Sequence, residues 1–259
     1  MEGKALLYKY LGGVDAWPIL LDVKDPYKII ETILTIQPGF GGINLEDISQ
    51  PKCFRILDTL RDRAEIPIWH DDQQGTATAV LAGLLNAIAL VGKKLSEVRI
   101  AFIGCGAASI ACAKLIFIAG ANPQLCVMVD SQGILHRNRT DLNKRKAEYV
   151  DKWRLSQLTN GEQRQGGIPE AMQGVDAVIA FSKSDPNTIR PEWVKAMAKD
   201  AIIFACANPL PEIWPWEAKA AGAAVVATGR SDFPNQVNNS LVFPAIFRGA
   251  LDVRAKTIT

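Results

Sequence analysis

Histidine is nearly missing from this chain: its 259 residues contain two, His70 and His136, and no Ser-His-Asp arrangement is visible around either. Cysteine is sparse as well. Cys53, Cys105, Cys112, Cys126 and Cys206 form no CxxC pair and mostly lie in apolar runs, so they read as buried free thiols in a reducing compartment. No apolar run reaches the roughly 18 residues of a membrane span, and no membrane partner is expected. The opening Met1-Glu2-Gly3-Lys4 carries an acid and no apolar core of signal-peptide length. Charge of one sign is not in excess, with 29 basic against 27 acidic residues, so nucleic acid is not expected as a partner either. Low-complexity tracts are absent. These absences leave a cytoplasmic globular chain, 48% hydrophobic, with length for one large α/β domain or two modest ones.

What is present is a recurring order of strand, acid and helix. Gly3–Tyr10 reads as a helix stopped by Gly12-Gly13, and Trp17–Val23 reads as a strand. Asp25-Pro26 starts a helix whose Ile29, Ile30, Ile33 and Leu34 recur at helical spacing. Phe40–Asp47 reads as a second strand ending in Glu46-Asp47, and a helix opens at Pro51. Ile66–Trp69 is a third strand ending in Asp71-Asp72, followed by a helix from Thr76 to Val91. Helical crossovers return the chain in the same direction, so these strands are expected to be parallel, with their carboxyl ends on one edge. Glu46, Asp47, Asp71 and Asp72 then converge. One acid per loop would suit a helix cap. Two consecutive acids in two successive loops need a cation or strong mutual pKa shifts, and oxygen ligands in this number favour a cation, Mg²⁺ or Mn²⁺. His70, beside the second pair, could be a ligand or base, but its place at the end of a buried strand favours a structural histidine.

The second half reads as a dinucleotide-binding unit. Val98–Ile103 is a buried strand, then come Gly104-Cys105-Gly106-Ala107-Ala108-Ser109 and a helix from Ile110 to Ala119. This resembles Gly-x-Gly-x-x-Gly with Ser109 at the third glycine position. Leu125–Asp130 is the next strand, and Asp130 stands about where a ribose-binding acid belongs, a reading somewhat favoured over a turn residue before Gln132-Gly133. Ser131 with Arg137 and Arg139 could tolerate a 2′-phosphate instead, which leaves NAD and NADP both open. Arg139–Arg164 is polar and reads as surface helix and loop. Further strands over Asp176–Ser182, Ala201–Pro209 and Ala224–Gly229 deliver Ser182 and Asn208 to the functional edge. A last helix is expected from about Val237 to Arg254, bent at Pro244. Asn208, Asn238 and Asn239 offer a neutral lining for a carboxylate, though each could be only a turn or a cap. The fold class expected is therefore α/β, with parallel strand-helix units followed by a Rossmann-type doubly wound dinucleotide-binding domain. Residues 1–75 form the metal and substrate portion. Residues 76–259 form the NAD(P)-binding portion, with a C-terminal helix returning to the active site.

Four collinear motifs now support a resemblance that runs over essentially the whole chain. They are Met1–Lys4, Gly41–Ile48, His70–Ala77, and Ala227–Asp232 continuing to Asn239. Together they resemble malic enzymes of the bacterial and archaeal type. The resemblance implies oxidative decarboxylation of L-malate to pyruvate and CO₂ with NAD or NADP and Mg²⁺ or Mn²⁺, in a homo-oligomer. It makes Glu46, Asp47 and Asp72 the metal ligands, with Asp71 their outer partner, and Lys4 the general base, whose proton affinity must then be lowered. Asn208 and Asn239, with Asn238 beside them, become substrate-contacting amides, and Gly104–Ser109 the pyrophosphate turn. Gln74 stands where the family often has histidine.

In the family a region bearing an acid tyrosine and a carboxylate-gripping arginine precedes the lysine motif, and neither has a counterpart here. Two rival readings follow: a dinucleotide- and metal-binding module with little or no turnover, and a Rossmann enzyme without metal. Lys4, close to the terminus, is expected to fray and turnover to be slow, while Tyr8 is expected to pack among apolar neighbours.

Overall fold

The computed structural model describes residues 1–258. They form two compact units, one of Met1–Thr76 with the segment from Asn239 onward, the other of Ala77–Asn238.

In the first unit, α1 (Glu2–Gly12) ends on Gly13 in the left-handed conformation, φ 60°. Asp25 caps α2 (Pro26–Ile36) by accepting the Tyr27 N–H. The Ile29, Ile30 and Ile33 stripe meets Ile56, Leu57 and Leu60 of α3 (Lys52–Arg63) in one apolar cluster. Between and after these helices lie two short strands, β1 (Ile43–Leu45) and β2 (Ile68–His70), paired in parallel with Leu45 opposite His70. Both acid pairs thus follow strands that point the same way. The strand expected over Trp17–Val23 does not form. Pro18 offers no N–H to a ladder, and Trp17 and Leu20 are 78% and 79% exposed, so this apolar stretch finds no sheet to join among the described residues. The last helix is also shorter than expected, Phe243–Asp252 after a single turn at Asn239–Leu241. Pro244 lies in its first turn, where its missing N–H costs nothing, so the proline starts a helix instead of bending one. Phe243 and Phe247 of this helix close around the Tyr8 ring at 4.6 and 5.2 Å, with Trp69 in the same cluster.

The second unit takes up α4 (Thr76–Leu90) from Ala77 and is built on a six-stranded sheet. Its strands are β3 (Ile100–Ile103), β4 (Cys126–Asp130), β5 (Gly133–Ile134), β6 (Ala177–Ala180), β7 (Ile202–Ala205) and β8 (Val225–Thr228). They lie in the order β5-β4-β3-β6-β7-β8, parallel throughout except for β5, a short antiparallel return from β4. Helix α5 (Ala107–Ile118) follows β3, while α6 (Thr140–Lys144) and α7 (Val150–Leu158) occupy the polar stretch after β5. The chain leaves β3 toward β4 and returns on its other side at β6, so the topological switch point lies between β3 and β6. The strands are buried on both faces, which is why they read as unbroken apolar runs. This is the Rossmann-type α/β arrangement expected.

Candidate functional site

The acid loops of the first unit meet. Asp47 leaves β1 in the left-handed conformation, φ 55°, which a short polar side chain tolerates. Its N–H donates to Asp72 Oδ2 at 2.9 Å, tying the loop after β1 to the loop after β2. One carboxylate oxygen from each of Glu46, Asp47 and Asp72 falls within 4.8 Å of the others. Burial pushes the Glu46 and Asp72 carboxyls above their ordinary values; Lys4 pulls back on both, while neighbouring carboxylates add to the rise. Such a cluster favours a positive charge. Three hard oxygen donors, with room for water, fit a Mg²⁺ or Mn²⁺ ion, and the His70 Nδ1 lies 3.8 Å from Asp72 Oδ2.

Lys4 stands beside the cluster. Its Nζ lies 2.5 Å from Glu46 Oε2 and 2.5 Å from Asp71 Oδ2, and it sits over the Phe243 ring. Asp71 is fully buried and is held in turn by the Trp69 Nε1–H, which donates to Oδ1 at 3.2 Å. The last residue of the π-type turn Asp71–Gly75 is glycine for a steric reason: a Cβ there would lie 1.9 Å from Asp71 Oδ1. Asn239 packs beside the same glycine. The expected fraying of Lys4 is not what the structure shows. Helix α1 is anchored through Tyr8 and Gly12 to the terminal helix, and two carboxylates fix the ammonium. The expected loss of proton affinity is not seen either. Burial lowers it, but Asp71 and Glu46 together outweigh burial, and Lys4 stands above its ordinary value.

Tyr8 packs as expected, yet its buried hydroxyl has no hydrogen-bond partner, and burial raises its proton affinity far above the usual phenol. Lys4, Tyr8, Glu46 and Asp47 share the wall of a cavity of about 480 Å³. His70 is buried with neither ring nitrogen hydrogen-bonded, so burial takes it down to about 4 and the ring is neutral; its backbone N–H is satisfied by Gln74 Oε1.

In the second unit, the carboxyl ends of β3, β6, β7 and β8 carry the residues expected to meet a dinucleotide. Gly104 turns at φ 100°, and a Cβ there would lie 2.3 Å from the Phe181 carbonyl oxygen, so the turn presses against the end of β6 just before Ser182. Gly106 starts α5 with open space where a side chain would stand, as an approaching pyrophosphate requires. Cys105 is buried and its thiol is pushed up to about 12 by burial, which makes it inert. Ala107 and Ala108 begin the helix, and Ser109 is fully buried in the packing position of the third glycine. Asn208 and Asn238 meet around Gly229, the first packed against its Cα, the second donating Nδ2–H to its carbonyl at 3.0 Å. Asn239, the third amide of the expected lining, belongs to the first unit.

Asp130 is already engaged. It receives Arg139 Nη1 and Nη2 at 3.1 and 3.2 Å, Lys152 Nζ at 3.2 Å and the Gln132 N–H at 2.9 Å. Arg139 also binds Asp141, so its guanidinium is not idle. Several participants escape a reading of the sequence. Trp69 and Gly75 look like strand and turn, and Lys152 lies in a helix of mixed charge where no spacing marks it out.

The model of the malic enzyme NAD-binding domain matches residues 73–259. The NAD-dependent malic enzyme of Geobacillus stearothermophilus is 49% identical over 100% of this chain and 52% of its own length. The NADP-dependent malic enzyme of Halomonas elongata is 44% identical over 100% of this chain and 58% of its own. The crystal structure of Entamoeba histolytica malic enzyme superposes with a TM-score of 0.96 at 53% identity, covering 100% of this chain and 54% of that one. The chain thus spans between about half and three fifths of the length of these relatives.

Proposed function

Because the chain belongs to the malic enzyme family, we propose that it carries the metal, dinucleotide and substrate-contacting groups for oxidative decarboxylation of L-malate to pyruvate and CO₂, with NAD or NADP accepting the hydride. The observation that carries the reading is the meeting of three carboxylate oxygens within 4.8 Å beside a fixed lysine. Glu46, Asp47 and Asp72 would hold Mg²⁺ or Mn²⁺. When bound, the cation supplies Lewis acidity to the oxygens of malate and offsets the repulsion among its carboxylate ligands.

The remaining work falls to the chain's own side chains. Lys4 Nζ takes the hydroxyl proton of malate as hydride leaves C2 for the nicotinamide. Asp71 aims that ammonium and Trp69 aims Asp71, so the base keeps a reactive geometry. Lys4 starts too basic for this task, held by Asp71 and by Glu46, the second of which a cation would neutralise. Positive charge at Glu46 reverses that attraction and brings the amine toward the working range. Asn239 offers an amide beside the acid loop. In the second unit the Gly104–Ser109 turn takes the pyrophosphate, and Ser182, Asn208 and Asn238 offer polar contacts at the sheet edge. Asp130 supports the ribose side through Arg139 and Lys152, whose charges suit either cofactor. No described helix is long and apolar enough to cross a membrane.

The test is calorimetric Mn²⁺ binding. Asp72→Ala removes one ligand and leaves Glu46 and Asp47 repelling each other, so affinity should fall by well over about tenfold, the lower end of losses seen for outer partners of a metal. Unchanged binding would remove the metal from the account.

A further inference from the structure

Glu212 has the least reason of any acid in the second unit to be where it is. It is fully buried, no cation pairs with it among the described residues, and it lies in the connection after β7, away from the fingerprint turn. A buried lone carboxylate is costly unless its lone pairs are used. They are used on two backbone N–H groups and one hydroxyl. Oε1 accepts the Ser182 N–H at 2.8 Å and the Ser182 hydroxyl at 3.3 Å, and Oε2 accepts the Ala207 N–H at 3.0 Å. The Glu212 carbonyl also accepts the Ile189 N–H at 2.9 Å.

Ser182 lies just past β6, and Ala207 lies between β7 and Asn208. At these points the sheet's own ladder has ended and the N–H groups would otherwise be orphans. One carboxylate therefore joins the two loops that carry Ser182 and Asn208. The first of those loops also supports the fingerprint turn, since the Phe181 carbonyl oxygen would stand only 2.3 Å from a Cβ on Gly104.

We propose that Glu212 is a positioning residue for the dinucleotide site, fixing the ends of β6 and β7 so that Ser182, Asn208 and the Gly104 turn hold a single arrangement. This rests on reading that sheet edge as the dinucleotide site. A carboxylate suits the task better than a neutral side chain of the same size. It can accept at both oxygens at once, whereas glutamine must turn an NH₂ toward one of the two N–H donors. The negative charge strengthens each bond to a backbone donor.

The experiment uses the full chain, NADH and NADPH as fluorescent probes, and whichever of the two the parent binds more tightly. Glu212→Gln should weaken that binding about tenfold, the consequence of leaving one buried donor unmatched. Mn²⁺ affinity should not change, because the acid cluster lies in the first unit. Amide hydrogen exchange should quicken at Ser182 and Ala207 while the interior amides of β3 and β7 keep their protection. Glu212→Asp keeps the charge but not the reach, and should recover part of the loss.

If Glu212→Gln binds as the parent does while Gly106→Val has lost binding, the assignment of Glu212 is wrong. If Gly106→Val also binds normally, it is the reading of the sheet edge that fails. Should the glutamine variant not fold, Glu212→Asp decides. Weakened binding with local exchange at Ser182 and Ala207 supports positioning. Binding that falls only in step with a lowered melting temperature, with exchange rising across the whole sheet, shows a general structural role and overturns the proposal.

Discussion

Asp71 and Gly106 occupy comparable places, each just past the carboxyl end of a parallel strand, and they do opposite things. Around Asp71 the site is made of charged side chains that hold one another: Lys4 between Glu46 and Asp71, Asp71 on Trp69, Asp72 on the Asp47 backbone. Around Gly106 the site is made of backbone and of missing side chains. The turn at Gly104 has no room for a Cβ, and Gly106 leaves an opening. The first arrangement suits an ion, whose charge must be matched by charge. The second suits a pyrophosphate, which is bound by N–H groups and needs close approach. A side-chain change should therefore matter most in the first unit when it touches the buried charges, and little in the second when it touches an exposed one.

The largest effect expected is that of Gly75→Ala. Its Cβ would lie 1.9 Å from Asp71 Oδ1, so a buried, ion-paired carboxylate must move or lose Lys4. We expect a loss of about 3 kcal/mol in denaturant unfolding of the first unit, from overpacking and a disturbed buried pair. Dinucleotide affinity should be preserved. A loss below about 1 kcal/mol would show that Asp71 is not fixed as described.

A weaker contrast comes from Asp141 in the second unit. Arg139 hydrogen-bonds its carboxylate and takes it down to about 2 from 3.8. The folded value is depressed, so its contribution is complete above the unfolded value and is lost as pH falls from about 3.8 through about 2. The group is largely exposed and screened, so Asp141→Asn should cost less than about 1 kcal/mol at pH 7, and the difference from the parent should close on acidification toward pH 2. A constant difference across that range would rule out the ion pair as its source. The smallest effect is expected from Tyr8→Phe, which removes a buried hydroxyl that has no partner while the ring stays on Phe243 and Phe247. Stability should stay within about 0.5 kcal/mol or rise slightly. A loss of more than about 1 kcal/mol, the usual net worth of one hydrogen bond, would reveal a partner for that hydroxyl.

How much of this was legible in the sequence follows the same division. Strands β3, β4, β6, β7 and β8 are apolar runs closed by turn residues, and each was found within a few residues, because strands buried on both faces leave a continuous signal. The acid pairs could be placed because parallel topology sends their strands the same way. The Trp17–Val23 stretch misled, since apolar composition does not reveal whether a neighbouring strand exists to pair with. Pro244 misled because a proline inside an apolar run reads alike as a kink or a start. Lys4's high proton affinity, Trp69's hold on Asp71 and the bonds of Glu212 all depend on partners from 5 to 67 residues away, or on a geometry within one strand end, that no spacing encodes.

The central claim is that a cation site and a dinucleotide site are built separately, one from buried carboxylates and one from backbone. The measurement that tests it most directly is a crossed titration, with Mn²⁺ and NAD(P)H each titrated into the parent, Asp72→Ala and Gly106→Val proteins. The account predicts that Asp72→Ala loses well over about tenfold in Mn²⁺ affinity and keeps its dinucleotide affinity, and that Gly106→Val does the reverse. Mn²⁺ binding that survives Asp72→Ala unchanged, or that is lost in Gly106→Val, would contradict it.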